Sequence, residues 1–520
     1  MSPFEKDFLQ TGSRFSKLFL ILAWVLPMIW AGAVRFYGMP DGETANDAYY
    51  HVAMAERGPR VFCAKKFPSL ELSVWRDTFA DKELLYHFLL CGLVRVQKLF
   101  TGPLRAPFHF SAMVFFGLLL AALLFAMKRM GGSPPLFLPM TLLAVMSAPN
   151  VLFRMLMLRP HILSLILMLL LCGLLARGPL RAGAVWTLLI SLVYAWSYSN
   201  PQFILIPVCC FAAVRFPADR WKSFLLPAAA VLGILLGLLI HPQFPNTFII
   251  WKVQSFDALF GPLLASGTRP YGTLMPPMEM MSPGVVWNRN ALPMYVFAYF
   301  NFLIFARLAV RTGWRNIPRE VYAVGLLALL FTGGTFLVLR TIEYAGPFNG
   351  LFGALVWSMA LREQVFLPGR ERPVRFCLIL TLLVFLPCFL TAAMNISYSA
   401  GITPPAVKIG QWMDRNLPDR ELVVNLSWGD FPSLYHANRR QVFLWGMDPE
   451  FSVAADPQRT RRIEQLLLNQ RELVPRRFMS VTGARYAVVL AKREKFVEYL
   501  KRLGWQTVYE ADDGTVFKID

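Results

Sequence analysis

Residues 18–51 read LFLILAWVLPMIWAGAVRFYGMPDGETANDAYYH. An almost wholly apolar run, Leu18 to Val34, is followed within a few residues by Asp41, Glu43, Asp47, Tyr49, Tyr50 and His51. Lys6, Arg14 and Lys17 precede the run, which carries Trp24, Pro27 and Trp30 and no small-residue cleavage site after it, so it reads as an uncleaved signal anchor. Carboxylates and aromatic rings placed where a helix leaves the bilayer suit a reaction centre for a lipid-linked substrate.

The pattern recurs outward from this stretch. Of 520 residues, 56% are hydrophobic and only 16% charged, more apolar than a soluble chain of this length needs. Apolar runs fall at 18–34, 108–127, 135–153, 161–176, 184–199, 202–214, 223–241, 291–306, 320–339, 345–361 and 376–394. The expectation is an α-helical polytopic membrane protein of about 11 transmembrane helices. Several runs are shorter than the ~20 residues that cross a bilayer untilted, and the fifth and sixth together also read as a re-entrant pair.

The net charge of +20 raises the question of nucleic acid, and its distribution answers it. Lys128 and Arg129, Arg177 and Arg181, Arg215, Arg220 and Lys222, Arg307 to Arg319, and Arg362 to Arg375 occupy alternate short loops. With the basic start they all fall on one side of the eleven-span count, as the positive-inside bias predicts for the cytoplasmic face. Nucleic acid is therefore not an expected partner. Residues 35–107, 242–290 and everything after about 395 fall on the exoplasmic side, which in a bacterial cytoplasmic membrane is the periplasm.

Cys63 and Cys91 lie outside and the other five cysteines within spans, with no metal-type spacing; a Cys63–Cys91 disulfide is one option. From Asp81 to Phe100 the residues Leu85, Phe88, Leu89, Leu93, Val96 and Leu99 recur at helical spacing. That helix either lies on the outer leaflet or packs on the transmembrane bundle. The second outer segment, His241 to Asn290, is rich in Pro, Gly and Met, carries Arg269 and Tyr271, and reads as an active-site cover or a disordered loop. Residues 395–520 then read as a small α/β domain with a partly parallel sheet. The expected strands are Glu421–Leu426, Gln441–Trp445 and Tyr486–Leu490; the expected helices are Pro404–Asn416, Asp456–Arg471 and Lys492–Leu503. A final hairpin from Gln506 turns at Asp513-Gly514. Two loops, Ser427-Trp428-Gly429-Asp430 and Trp445-Gly446-Met447-Asp448, follow the first two strands and should share a sheet edge, the place where open α/β sheets bind ligands. A packing tryptophan and a turn aspartate explain each loop equally well.

An Asp-x-Tyr-Tyr element after the first span, a helical first outer loop, about eleven spans and an outward C-terminal domain opening on Trp-x-Asp together resemble the membrane glycosyltransferases of the GT-C class. The nearest pattern is that of the oligosaccharyltransferase catalytic subunit; Leu158-Arg159-Pro160-His161, Ser199-Asn200-Pro201 and His241-Pro242 look more like uncharacterised bacterial members. The resemblance implies a polyprenyl-phosphate-linked sugar donor, a protein, lipid or glycan acceptor, and inversion at the anomeric carbon with Asp47 as catalytic base. The oligosaccharyltransferase pattern also implies a divalent cation, Mg or Mn, held by two acidic motifs. Here Arg154, Arg159 and His161 stand where the second belongs, and Gly429 replaces a tryptophan, so a metal-independent transfer of a single sugar fits as well.

The residues support such chemistry by themselves. An anionic leaving group requires a base on the acceptor and cations near the phosphate. Arg159 with His161, and Arg340 with Glu343, sit at outer span ends where other charges are few, although an arginine there can also simply snorkel. Tyr50, His51 and Arg269 are candidates for the donor's sugar and phosphate, the tyrosines also suiting an aromatic belt. Trp428 and Asp430 are candidates for the acceptor, and Asp41 and Glu43 for supporting groups. Two other classes remain open: a transporter, against which the outer-rim charges and lack of a repeat argue, and a noncatalytic lipid-binding protein, which would not need Asp47.

Overall fold

The computed structural model describes residues 14–38, 43, 46–101, 108–258, 274–275, 284–365, 373–397, 406–491 and 493–519. The chain folds as two compact units.

The first unit comprises Met1–Pro40, His109–Gly237 and Met278–Gly401 and is helical. Each expected apolar run overlaps helix, with 202–214 and 223–241 falling in one long apolar stretch. Among the described residues, five stretches are long and apolar enough to cross a membrane: Ser16–Gly38, Phe108–Arg129, Pro201–Leu239, Trp287–Thr312 and Arg375–Ile396. A sixth is the pair Pro134–Met146 and Pro149–Met155, bent by 89°. The expected run 135–153 is thus two helices rather than one. Pro149 lacks the N–H that a continuous helix would use and instead opens the second segment, where that N–H is not required. His161–Leu175 and Leu180–Ala195 are shorter apolar helices. Arg220, at φ +49°, separates helices Leu205–Asp219 and Leu225–Leu239 inside the long Pro201–Leu239 stretch. Small residues allow close helix approach: a Cβ on Gly350, in helix Ile342–Arg362, would stand 2.3 Å from Ala144 Cβ in helix Phe137–Met146.

The second unit comprises Asp41–Phe108, Leu238–Pro277 and Ile402–Asp520. Its sheet has the order β2-β1-β3-β5-β4. Strands β1 (Leu422–Asn425), β2 (Val442–Phe443) and β3 (Tyr486–Leu490) run parallel; β4 (Gln506–Ala511) and β5 (Gly514–Lys518) form the antiparallel hairpin. The partly parallel sheet and the hairpin agree with the sequence reading. So does the Asp456 cap, whose carboxylate accepts the Arg459 N–H at 2.9 Å ahead of helix Pro457–Leu468. Three short helices, Phe431–Ala437, Pro449–Ala455 and Pro475–Thr482, were not expected.

The expected boundary near 395, with both outer segments assigned to the membrane domain, needs correction. The segment after the Asp47 helix extends the C-terminal sheet: Glu71 and Leu72 donate backbone N–H groups to Phe443 O (2.8 Å) and Leu444 O (2.7 Å), and Phe443 donates back to Ser69 O (2.9 Å). Phe67, Trp75 and Phe79 then enter one core with Phe431, Tyr435 and Phe443. A chain that completes a sheet and buries four or more aromatic rings with it folds with that sheet.

The outer helix spans Leu84–Thr101 and packs on helix Asp47–Arg57, burying Leu90, Cys91 and Val94 and exposing Phe88, Val96 and Leu99. Cys63 and Cys91 are both free thiols.

Candidate functional site

In the second unit, Asp47 opens helix Asp47–Arg57. Its place in the first turn is one where aligned backbone N–H groups favour a negative side chain. Asn46, at the N-cap, does not cap the helix with its side chain; its Nδ2 instead donates to Gly429 O at 2.8 Å. That bond joins residues 383 positions apart and brings the Asp-x-Tyr-Tyr element against the Trp428-Gly429-Asp430 turn. At its other end, Glu56 accepts from Arg439 (2.5 Å) and Lys98 (3.3 Å), and Arg57 donates to the Tyr435 hydroxyl. Burial would raise the Glu56 pKa, but the Arg439 guanidinium holds it below the ordinary carboxylate value. The helix bearing Asp47 is therefore anchored to the C-terminal domain at both ends.

Tyr50 and His51 face inward from this helix. The Tyr50 ring is fully buried beside Trp75, Phe431, Tyr435 and His87, and burial pushes its pKa well above the ordinary phenol value. His51 Nδ1 lies 2.8 Å from His87 Nε2. His87 Nδ1–H donates to Asp81, 2.8 Å from each oxygen. Burial lowers the His87 pKa, yet Asp81 and Glu83 outweigh it and leave the imidazole above its usual value. Gln243 accepts the Asp81 N–H at 2.6 Å and donates to Val61 O and Ala64 O, tying in the second outer segment. Tyr50 and His51, expected as sugar-lining candidates, are buried interior groups that brace the Asp47 helix.

Both acidic loops meet at the C-terminal edge of the parallel strands. Asn425 Nδ2, at the end of β1, donates to Ser427 O (3.0 Å) and Trp445 O (2.8 Å), and Trp445 Nε1 donates to Asn425 O (2.8 Å). Trp445 is thus a packing anchor, and Asp448 caps helix Pro449–Ala455. A Cβ on Gly446 would stand 2.3 Å from Phe431 Cγ, so only glycine fits there. Trp428 is half-buried and packs against the buried group that includes Val424, Leu426 and Trp445. Asp430 is different: its side chain is 10% exposed, its closest cation is Arg493 at 3.9 Å, and its Oδ2 lacks a hydrogen-bond donor among the described residues. Burial pushes its pKa up to about 6, with Arg493 opposing.

The first unit holds a separate cationic cluster. Glu343 pairs with Arg154 and, at 3.7 Å, with Arg340. His161 Nε2 lies 2.9 Å from Arg154 O, and Arg159 comes close to the same ring. Arg340 stacks on Tyr198 at 5.7 Å, while Ser164 joins Tyr194 (2.6 Å) and Tyr344 (3.3 Å). Arg154, Arg159 and Arg340 thus gather around Glu343 and His161 in a largely buried setting, a grouping of guanidiniums that suits a phosphate. The structure brings Arg159 near His161 and Arg340 to Glu343, the two pairs of the span-end reading, and adds Arg154 and the tyrosines. Leu158-Arg159-Pro160-His161 and Ser199-Asn200-Pro201 were the sequence signals for that neighbourhood. Arg269, Tyr271 and Asp41 lie outside the described residues; Glu43 is buried.

The oligosaccharyltransferase pattern would hold its Mg or Mn ion with Asp47 and a second carboxylate. Among the described residues, the one cluster of metal-ligand side chains is His51, Glu83 and His87, which omits Asp47. Arg154 and Arg159 stand where the second acidic motif would be.

No protein-family model and no curated protein sequence matches the chain. Solved structures do. The archaeal oligosaccharyltransferase AglB from Archaeoglobus fulgidus, in complex with an inhibitory peptide and a dolichol-phosphate, is 12% identical over 98% of this chain and 75% of its own, with TM-score 0.58. ArnT from Cupriavidus metallidurans, bound to undecaprenyl phosphate, is 14% identical over 98% of both chains, with TM-score 0.55. The arabinofuranosyltransferase AftD from Mycobacteria is 13% identical over 97% of this chain and 40% of its own, with TM-score 0.54. The chain has the fold of GT-C membrane glycosyltransferases.

Proposed function

We propose that this protein is an inverting glycosyltransferase that takes a single sugar from a polyprenyl phosphate on the outer face of the membrane, with the N-terminus cytoplasmic and the C-terminal domain periplasmic. Asp47 accepts the proton of an acceptor hydroxyl or amide as that atom attacks the anomeric carbon. The bond from that carbon to the phosphate oxygen breaks, and polyprenyl phosphate departs with both electrons and an added negative charge. Arg159 and Arg340, with His161 beside them, neutralise that charge, and Trp428 and Asp430 receive the acceptor. The observation that carries the reading is the Asn46–Gly429 bond, which ties the base-bearing helix to the acceptor turn.

The undecaprenyl phosphate bound in the similar ArnT structure supports a polyprenyl phosphate carrier, and Arg154 and Arg159 in place of a second acidic motif support single-sugar transfer without a metal. Trp428-Gly429-Asp430 keeps a second reading in play, transfer of a lipid-linked glycan to protein. In membranes supplied with a polyprenyl-phosphate sugar, Asp47→Asn should lower transfer by about 10²-fold or more while the protein still inserts and folds. Retention of full transfer would refute the assignment. Mass spectrometry of surface glycans and glycoproteins from cells with and without the chain names donor and acceptor together; no glycan difference would point to a transporter or lipid-binding protein.

A further inference from the structure

We propose that His51, Glu83 and His87 form a binding site for one divalent transition ion of the zinc class, with Asp81 orienting His87 from behind. The three side chains are 3%, 4% and 0% exposed, and a ligand atom from each lies within 4.8 Å of the others. They come from two places in the chain: His51 from the helix that begins at Asp47, and Glu83 with His87 from the start of the outer helix.

The hydrogen bonds select the donor atoms. Because a carboxylate only accepts, the Nδ1 of His87 carries the proton given to Asp81, which leaves His87 Nε2 as the atom that turns its lone pair toward His51 Nδ1. A carboxylate behind a histidine in this way fixes the ring and raises its basicity as a ligand, the arrangement found around protein-bound zinc. Two imidazole nitrogens and one carboxylate oxygen are a donor set for zinc-class ions, whereas magnesium prefers oxygen alone.

The geometry needs little change. Metal–nitrogen bonds of about 2.0–2.1 Å at a tetrahedral angle put the two nitrogens about 3.3 Å apart. They stand at 2.8 Å, so this pair must open by roughly 0.5 Å, while the Glu83 oxygen, within 4.8 Å of them, must settle at about the same spacing. Glu83 has Lys82 as an ion partner at 3.9 Å. The Lys82 ammonium is already placed over the rings of Trp75 (5.8 Å) and Phe451 (5.2 Å), which can retain it when an ion takes over Glu83. Bound there, the ion cross-links the two helices one turn from Asp47. It displaces the proton shared between the imidazoles, so binding weakens as pH falls. This site is distinct from any ion at Asp47 and stands whether or not the transfer reaction is as proposed.

The test is metal analysis of the full chain, purified in detergent without chelators and dialysed against micromolar zinc chloride. The wild type should hold about one equivalent of zinc, Asp47→Asn the same, and His87→Gln and Glu83→Gln far less, while Asp81→Asn should bind about 10–100-fold more weakly. Cobalt loading should give the strong visible bands of four-coordinate Co(II) in the wild type. If His87→Gln does not fold, Glu83→Gln, which keeps the side-chain size, decides. Wild-type protein without stoichiometric zinc and without those bands, or zinc retained undiminished in both variants, would show a hydrogen-bonded histidine pair and overturn the proposal.

Discussion

Asp430 offers a test in which stability and activity should move in opposite directions. Its pKa is pushed from 3.8 to about 6 because burial removes water from the carboxylate and Arg493, at 3.9 Å, restores only part of what is lost. Two pH units at about 1.4 kcal/mol each mean that the charged form costs the fold roughly 3 kcal/mol. Below about pH 4 both folded and unfolded chains hold the proton and the cost is absent. Between about pH 4 and 6 the unfolded chain releases it first, so stability falls as pH rises, and above about 6 the whole cost is present. Asp430→Asn removes this titration while keeping the shape. At pH 7 the variant should be more stable by up to ~3 kcal/mol, less whatever the buried amide loses for want of partners, which is a rise of several degrees at ~2–4 °C per kcal/mol. The assay is a thermal melt of detergent-solubilised wild type and variant, followed by tryptophan fluorescence from pH 4 to 8. The difference between the two curves should open across pH 4–6 and then stay constant. Transfer by the variant should fall at pH 7, since a charge kept at such a cost is a functional one. A variant that melts lower than wild type at pH 7, with an unchanged pH slope, would refute the reasoning.

Three further outcomes follow from the same geometry. Glu343→Gln strips the carboxylate shared by Arg154 and Arg340 and should cost about 3–5 kcal/mol, read as a lower melting temperature and folded yield, with partial recovery when Arg154→Met is added. Gly350→Val forces a side chain into the 2.3 Å approach to Ala144 Cβ and should reduce folded yield more than a valine at Gly333, where a Cβ meets nothing within 4 Å. Asn46→Ala removes the bond to Gly429 and should shift melting by only about 1 kcal/mol while lowering kcat of transfer, because it releases the Asp47 helix from the acceptor turn.

The parts legible from sequence are those whose determinants are local. Tyr486–Leu490 is a continuous apolar β-branched run, Asp513-Gly514 is a turn pair, and Asp456 precedes an amphipathic helix; each became the expected element. Hydropathy marked residues 135–153 as apolar but carries no direction, so it missed the bend that Pro149 permits. What escaped was pairing at distance. Leu72 joining Leu444, Gln243 bridging Asp81, and Arg154 meeting Glu343 link positions whose separate stretches look like loops or span ends. The burial of Tyr50 and His51 escaped for the opposite reason: next to a membrane edge they read as pocket or belt residues, and nothing local shows that Trp75, Phe431 and His87 pack around them.

That division bears on how the chemistry is shared. The candidate base and the acceptor turn belong to the second unit, joined by Asn46–Gly429 and held at the far end of the helix by Glu56–Arg439 and Arg57–Tyr435. The candidate phosphate cations belong to the first: Arg154 on the second half of the bent pair, Arg159 in the turn after it and Arg340 in the turn ahead of helix Ile342–Arg362. A leaving phosphate gains charge only as the bond to the sugar breaks, so cations that meet it act mainly on the transition state and their loss should appear in kcat. On the proposed assignment, the base acts on an acceptor held by the second unit, and its pH dependence should follow groups of that unit. Substitutions at Arg159 or Arg340 should therefore be sensitive to the leaving group and indifferent to the acceptor, and substitutions at Asn46 or Asp430 the reverse. A common dependence on both substrates would mean that the two sets of residues do not carry separate halves of the reaction.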